Sequence, residues 1–139
     1  MSVERITLDA NILIYAIDKD ASDKQEQAIE LIEKCARTYD CVLTSQALAE
    51  FYFAATRKGK VLTTQAKQQV ADWQLLFPTI LPSIRTVNHA MNAVEEHSLS
   101  FWDAMLWSVA NENAVSRLYS EDFQSGRVLK GVGFINPFL

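Results

Sequence analysis

The sequence predicts an α/β fold, a sandwich in which helices cover both faces of a central, mostly parallel sheet. Short β-rich runs alternate with longer stretches of helix-spaced hydrophobic residues, the order typical of parallel strands joined by crossover helices. The first run, Val3 to Leu8, ends at the carboxylate of Asp9, and α/β proteins collect ligands beyond the carboxyl ends of their strands. Because the 139 residues contain no repeat or linker, we expect a single domain over residues 1–139.

Composition and charge exclude several classes of protein. No apolar run approaches the ~18 to 20 residues that span a bilayer. Glu4 and Arg5 precede the first hydrophobic stretch, so no signal peptide is predicted and we expect a cytoplasmic protein. The formal net charge of −4 argues against a broad basic face for nucleic acid. It does not exclude a nuclease whose carboxylates surround divalent cations.

The first half of the chain predicts two strands and three helices. Ser22 and Gln25 form a capping-box pattern, and Gly59 suits the end of the third helix. Cys35 and Cys41 have no neighbouring Cys or paired His, so we expect free buried thiols rather than a zinc site or a disulfide. The predicted elements are a strand over Val3 to Leu8, a helix over Asn11 to Ile17, a helix from Ser22 to about Arg37, a strand over Cys41 to Thr44, and a helix from Ser45 to about residues 57–60.

The second half continues the alternation of helices and strands. Pro78 stops one amphipathic helix, and Pro82 ends the short strand that follows it. The predicted elements are a helix over Thr64 to Phe77, a strand over Thr79 to Leu81, a helix over Thr86 to about His97, an apolar helix from Ser100 to about Ala110, and strands over Arg117 to Tyr119 and Gly133 to Ile135.

Four acidic residues stand where an α/β fold can bring them together. Asp9 ends the first strand, Glu50 lies on the helix after the second, Asp103 is in the first turn of a helix, and Asp122 follows the strand near the C-terminus. Mg²⁺ and Mn²⁺ prefer oxygen ligands, usually one or two carboxylates with waters. Such ions can activate a water and stabilise the leaving oxygen in phosphodiester cleavage.

Each acid also has a purely structural interpretation. Asp9 can cap the following helix, and Asp103 can complete a capping box with Ser100. Glu50 can be a solvated helix residue, and Asp122 can belong to a polar turn. Against these interpretations, Glu50 and Asp103 are embedded in dense apolar sequence, where carboxylates tend to be paired or metal-bound.

The acids and their neighbours resemble the successive motifs of the PIN domain, and more narrowly the VapC-type toxins of bacterial toxin–antitoxin pairs. The resemblance spans Thr7 to Phe138, and the order and spacing of four motifs carry it, since no single motif is highly specific. The motifs are Asp9 to Tyr15, Ser45 to Tyr52 with Glu50, Phe101 to Ala104 with Asp103, and Tyr119 to Phe123.

The resemblance implies a Mg²⁺- or Mn²⁺-dependent endoribonuclease with a doubly wound α/β/α fold. It makes Asp9, Glu50 and Asp103 the three core metal-binding carboxylates. It also implies a homodimer, and a small antitoxin whose C-terminal segment wraps the toxin and blocks the site. Our mechanistic hypothesis is that the metal lowers the pKa of a water, which then attacks the phosphorus of the RNA.

The final motif of the family pairs a hydroxyl residue with an acid two positions later, which maps onto Ser120 and Asp122. Here Glu121 intervenes as a second acid, so either Glu121 or Asp122 can face the metal. Asn11 matches a position that supports the site by hydrogen bonding. The sequence alone leaves the choice between the two acids open.

The other polar and aromatic residues receive simpler interpretations. His89 and His97 are interpreted as surface residues away from the motifs, which favours metal-activated water over attack by the RNA 2′-hydroxyl. Trp102 and Trp107 are expected in the core or at a dimer contact, with stacking on RNA bases as the minor alternative. The candidates for binding RNA phosphates are Arg57, Lys58 and Lys60. The alternative is that they are solvated cations at a helix C-terminus, which the helix dipole favours.

Two other classes of protein compete with the nuclease. A phosphoacceptor receiver-like domain has a similar length and an acid after its first strand, but the expected acceptor Asp after a third strand and a late Lys are not evident. A catalytically silent PIN-like scaffold would only bind RNA or a partner protein. The full set of acids favours the active enzyme over both.

Overall fold

The computed structural model describes residues 3–57 and 60–139, which form alternating strands and helices. The order of elements confirms the predicted α/β class. The elements are β1 (Arg5–Leu8), α1 (Ala10–Ile17), a short 3₁₀ helix (Lys19–Ala21), α2 (Asp23–Thr38), β2 (Asp40–Cys41), β3 (Leu43–Thr44), α3 (Ser45–Arg57), α4 (Thr63–Leu76), β4 (Thr79–Ile80), α5 (Ile84–His97), α6 (Phe101–Glu112), β5 (Arg117–Tyr119), β6 (Val128–Leu129) and β7 (Val132–Ile135).

The central sheet has five strands in the order β2, β1, β5, β7, β6. All neighbours run parallel except β6 and β7, which form an antiparallel pair. Leu8 pairs with Tyr119, and Tyr119 pairs with Ile135, so three strands end in register. The residues that follow them therefore emerge together at one edge of the sheet.

The predicted strand over Cys41 to Thr44 is divided between two sheets. Cys41 pairs with Ile6 in the central sheet, whereas Leu43 pairs with Thr79 in a separate two-stranded sheet of β3 and β4. Val42 lies at the switch: its carbonyl accepts a hydrogen bond of 2.6 Å from the Thr7 hydroxyl. A continuous apolar run cannot reveal this change of partner, because both halves are buried.

Helices pack on both faces of the sheet. Leu118 and Tyr119 are adjacent on β5 and join different hydrophobic clusters, as alternate residues of a strand must. One cluster lies under α1 to α4, where the Phe51 ring meets the Trp73 ring edge-on at 4.7 Å. The other lies under α5 and α6 and includes Trp107, whose indole N–H donates to the Leu129 carbonyl at 3.1 Å.

Some predicted element ends are wrong for local reasons. Ser22 makes no side-chain cap bond, and its backbone has φ +49°, so the predicted capping box at the start of α2 is absent. A capping box forms instead at α5, where the Ser83 N–H donates to the Thr86 hydroxyl at 2.9 Å. The predicted helix end at Gly59 lies outside the described residues. Strand β6 was not predicted, because two residues are too few to show a period.

The cysteines and the lengths of the helices agree with what the composition predicts. Cys35 and Cys41 are both buried and free, as expected from their spacing. Across residues 3–57 and 60–139, none of the helices combines the length and the apolar character that crossing a membrane requires.

Candidate active site

Asp9 lies at the carboxyl end of β1 and is 7% exposed. One carboxylate oxygen accepts from the Ala10 N–H at 2.7 Å, so Asp9 does cap α1. The other accepts from the Ser120 hydroxyl at 2.6 Å, which a cap alone does not require. Burial is the main cause that raises the pKa of Asp9 to about 6. The hydrogen bonds from Ser120 and Ala10 lower this pKa, and the negative charges of Asp122 and Glu50 raise it further.

Asn11 joins the two strand ends through its side-chain amide. Its Nδ2 donates to Asp122 Oδ2 at 3.1 Å and lies 3.5 Å from both Asp9 Oδ2 and Ser120 Oγ. Its amide oxygen is buried and has no hydrogen-bond partner among the described residues. The amide nitrogen is thus oriented by three acceptors, while the amide oxygen is left without a donor among the described residues.

Ser120 sets the geometry of the chain after β5. Its hydroxyl donates to Asp9 and accepts from the Asp122 N–H at 3.0 Å. Its own N–H donates to the Ile135 carbonyl at 2.9 Å, which ties it to the sheet. These bonds turn the chain so that Asp122 faces Asn11 and Asp9.

Glu121 points to a different set of partners. Its carboxylate accepts from the Tyr15 hydroxyl at 2.6 Å and from Lys24 Nζ at 3.0 Å. Asp122 is therefore the acid that contacts Asn11, whereas Glu121 contacts α1 and α2. The two acids, which the sequence left as equal candidates, thus have different partners in the structure.

Glu50 is exposed on α3 and is held by a neighbour that sequence reasoning missed. Gln46 Nε2 donates to Glu50 Oε1 at 2.7 Å and to the Trp102 carbonyl at 3.1 Å. The spacing of four residues between Gln46 and Glu50 was the available signal, since such residues are neighbours on a helix. This amide brings Glu50 towards the first turn of α6, where Asp103 lies.

Asp103 is half-buried, and burial is the main cause that raises its pKa. The negative charge of Asp122 raises this pKa further, and a hydrogen bond with the Ser100 side chain lowers it. Ser100 makes no side-chain cap bond to α6. The predicted alternative, a capping box formed by Ser100 and Asp103, is therefore wrong.

The acids share one electrostatic environment. Asp122 disfavours the charged forms of both Asp9 and Asp103, and Glu50 that of Asp9. In the part of the chain that the structure describes, no three His, Cys, Asp or Glu side chains form a ready-made metal cluster. The donor chemistry nevertheless fits Mg²⁺ or Mn²⁺, which take few direct carboxylates and retain waters. A cation would also offset the repulsion among the carboxylates, and the orphaned Asn11 oxygen could accept from a bound water.

An apolar groove opens beside Glu50, with a cavity volume of about 560 Å³. Gln46 and Met105 line it, and so does Trp102, whose side chain is 63% exposed. Trp107, in contrast, is 3% exposed and belongs to the core, as predicted. Trp102 is therefore a surface aromatic next to the acids rather than a core residue.

The basic residues lie farther from the acids. Arg57 is seven residues after Glu50, about 10 Å along α3, and its guanidinium lies over the Phe53 ring at 5.4 Å. Lys60 pairs with Asp18 at 3.0 Å, at the end of α1 opposite Asp9. Lys58 lies outside the described residues. Their role in RNA binding stays a prediction.

The histidines are apart from the groove beside Glu50. His89 and His97 are half-buried along a separate cavity of about 200 Å³, rather than fully at the surface as the sequence suggested. His97 Nε2 is buried and lies 3.7 Å from Glu96 Oε2. Neither ring lines the groove next to the acids.

Solved structures with a similar fold include bacterial toxins. VapC20 of Mycobacterium tuberculosis, described as a sarcin–ricin loop cleaving toxin, is 15% identical, with a TM-score of 0.69 over 90% of this chain and 97% of that chain. VapBC2 of Rickettsia felis, bound to a promoter DNA fragment, is 16% identical, with a TM-score of 0.68 over 95% and 99%. A toxin–antitoxin complex of Klebsiella pneumoniae is 17% identical, with a TM-score of 0.68 over 95% and 97%.

The comparison of sequences narrows the classification. No curated protein sequence matches the chain. The family model for the PIN domain matches residues 6–128, which include Asp9, Glu50, Asp103 and Asp122. This match excludes the receiver-like alternative and agrees with the resemblance of the four motifs. The chain belongs to the PIN-domain family.

Proposed function

We propose that the protein is a Mg²⁺- or Mn²⁺-dependent endoribonuclease and the toxin of a type II toxin–antitoxin pair. The observation that carries the proposal is that Asn11 joins Asp9 to Asp122 at the carboxyl edge of a PIN-domain sheet, and that Asp103 and Glu50 lie close enough to interact with these charges. Buried or crowded carboxylates that repel one another are costly unless a cation or a proton compensates them.

The residues divide the chemical work among themselves. Asp9, Glu50, Asp103 and Asp122 would hold the cation; when bound, it supplies a water of lowered pKa and neutralises charge on the phosphate. Ser120 and Asn11 keep the carboxylates of Asp9 and Asp122 oriented through the contacts of 2.6 Å and 3.1 Å. Glu121 is paired with Lys24 and takes no direct part.

The RNA would meet the acids from the side of the open groove. Trp102 and Met105 offer apolar surface next to Glu50, and a single-stranded RNA presents unstacked bases that favour such surfaces. Arg57, Lys58 and Lys60 are the proposed phosphate contacts, and RNA binding through them would weaken as the salt concentration rises. The choice of RNA depends on the shape of the surface and on the fold of the RNA.

The proposed partners are a cognate antitoxin and a second copy of the chain. Two of the similar structures are toxin–antitoxin assemblies. Large apolar side chains are exposed, among them Leu81 at 67%, Ile84 at 75% and Trp102 at 63%. Exposed apolar side chains of this size are typical of surfaces that a partner covers.

The test is cleavage of a mixed RNA substrate by purified protein in Mg²⁺, in Mn²⁺ and in EDTA. Asp9→Asn and Asp103→Asn should abolish cleavage, because each removes a carboxylate from the site. Asp72→Asn is the matched control: Asp72 is an exposed acid on α4 that accepts from Gln68 at 2.9 Å, and its loss should leave cleavage unchanged.

The outcomes separate the enzyme from its alternative. Cleavage that needs a divalent cation and disappears in both site variants supports the proposal. Cleavage that persists in EDTA, or that both site variants retain, contradicts it. Binding of RNA without cleavage in any cation would favour the silent scaffold.

A further inference from the structure

We propose that Lys24 is a positioning residue for Asp122, and that it acts through Glu121. Lys24, Tyr15 and Glu121 form what we call the Glu121 clamp, which ties the chain after β5 to α1 and α2. The inference rests on the proposed function, since it concerns the same site. It assigns a role to a basic residue of α2 that none of the four PIN motifs contains.

The contacts of the clamp join three parts of the fold. Lys24 Nζ, on α2, lies 3.0 Å from one oxygen of Glu121 and 3.3 Å from the Tyr15 hydroxyl. The Tyr15 hydroxyl, on α1, donates to the other oxygen of Glu121 at 2.6 Å. Both carboxylate oxygens are thus engaged, and the Glu121 side chain is only 25% exposed.

Aromatic rings restrict the ammonium group further. Lys24 Nζ lies 4.9 Å from the centre of the Tyr15 ring and 5.4 Å from that of Phe138, and the two rings meet edge-on at 5.2 Å. An isolated ion pair at the surface contributes little to the stability of a protein. Here two donors and two rings define one geometry, so the clamp constrains the backbone at Glu121 more than a lone pair would.

The constraint reaches Asp122 through one peptide unit. Ser120 is tied to β7 and accepts from the Asp122 N–H at 3.0 Å, which fixes that peptide from within the site. The clamp fixes the Glu121 side chain through its contacts with α1 and α2. Asp122 itself is exposed, and Asn11 is the partner of its carboxylate among the described residues. Its orientation therefore depends on the backbone that Ser120 and Glu121 hold.

Charge gives the clamp a second effect. Glu121 is next in sequence to Asp122, whose negative charge already repels both Asp9 and Asp103. Without Lys24, the Glu121 carboxylate would lose its compensating charge and could swing towards a bound cation in competition with Asp122. Lys24 thus keeps the fifth acid out of the set.

The experiment compares Lys24→Met with Lys34→Met, a control on the same helix whose ammonium lies 5.9 Å from the Tyr39 ring centre. We measure Mn²⁺ affinity by calorimetry without RNA, and kcat and KM for RNA cleavage. Lys24→Met should weaken Mn²⁺ binding about tenfold, as loss of groups that orient metal ligands commonly does. It should lower kcat with little change in KM, whereas Lys34→Met should match the wild type.

Two further variants test the route through Glu121. Lys24→Arg should restore Mn²⁺ affinity, because it keeps the charge next to the carboxylate. Glu121→Gln combined with Lys24→Met should be no worse than Lys24→Met alone, because both act on one contact. Unchanged Mn²⁺ affinity in Lys24→Met, or a double variant that binds Mn²⁺ more weakly than Lys24→Met alone, would overturn the proposal.

Amide hydrogen exchange makes the inference independent of the proposed function. Loss of the clamp should speed exchange at the Asp122 amide severalfold in metal-free Lys24→Met and leave Lys34→Met unchanged. If the wild type neither binds Mn²⁺ nor cleaves RNA, the proposed function fails, and this exchange rate still decides whether Lys24 positions Asp122. Equal exchange in wild type and Lys24→Met overturns the positioning role.

Discussion

Asp9 shows how the site and the stability of the fold oppose each other. The pKa of Asp9 is raised from 3.8 to about 6, mainly by burial. At neutral pH this shift corresponds to a loss of about 3 kcal/mol in the free energy of unfolding. Since the folded protein holds this proton more tightly than the unfolded chain, stability without metal should fall as pH rises through the window from about 4 to 6. Asp9 is therefore a costly residue for the fold alone.

We accordingly expect Asp9→Asn in EDTA to be more stable than the wild type at pH 7. The gain is reduced by about 1 kcal/mol, because the amide can accept only one of the two hydrogen bonds from Ala10 and Ser120. Urea unfolding between pH 4 and 7 measures it, and the pH dependence should flatten in the variant. A variant that is less stable than the wild type at pH 7 would contradict the raised pKa.

At the level of single residues, the sequence predicted the candidate acids but not their hydrogen-bond partners. Asp9 and Asp103 were recognisable because strand ends and apolar surroundings are unusual places for carboxylates. The orientation of Glu121 depends on Lys24, which is 97 residues away along the chain. No local pattern encodes such a contact, so the choice between Glu121 and Asp122 required the fold.

Among the elements, α3 and α6 are connected at the site by one side chain. Gln46 donates to Glu50 on its own helix and to the Trp102 carbonyl on the next. The bond between neighbouring turns would form in an isolated helix as well. The contact with Trp102 forms only when the helices meet, and it relates Glu50 to Asp103.

Gln46→Ala should therefore reduce RNA cleavage about tenfold by freeing Glu50, with a small effect on unfolding. Gln68→Ala is the matched control, because Gln68 donates to Asp72 at the same spacing on α4 and at 2.9 Å. Initial cleavage rates and thermal unfolding of both variants provide the measurement. Equal losses in the two variants would show that the contact of Gln46 with α6 is unimportant.

Helices were easier to predict than strands. Apolar residues repeat over several turns in α2, α5 and α6, and the predicted helices match the observed ones apart from their ends. Strands β2, β3, β4 and β6 have two residues each, too few for an alternation to show. The change of sheet falls between Val42, which hydrogen-bonds to Ile6 and Thr7 of β1, and Leu43, whose N–H donates to the Pro78 carbonyl beside β4, and sequence patterns do not report such partners.

Across the whole molecule, two cores leave apolar surface uncovered. The clusters on the two faces of the sheet bury most large side chains. Leu81 and Ile84 lie outside both, on either side of Pro82, which lines the groove with Trp102. This placement puts the uncovered surface next to the acids.

For the proposed homodimer, we expect the surface around Ile84, which is 75% exposed, to be covered by the second copy. Ile84→Glu should then shift the protein to a monomer, because it would bury a charge in the contact. Leu75→Glu is the control, at a leucine of α4 that is 87% exposed. Light scattering over a range of concentrations gives the mass; a dimer that survives Ile84→Glu would place the contact elsewhere.

The buried thiols of α2 and β2 offer a chemical report on whether the molecule is closed. Cys35 is 0% exposed and Cys41 is 5% exposed. The hydrogen bond with Cys35 and burial raise the pKa of the Cys41 thiol well above its ordinary value, so the reactive thiolate is scarce in the folded protein. Alkylation by a maleimide should consequently wait for opening of the chain. The rate of this alkylation distinguishes a variant that has lost its structure from one that has lost only its chemistry, and the native cysteines make an introduced one unnecessary.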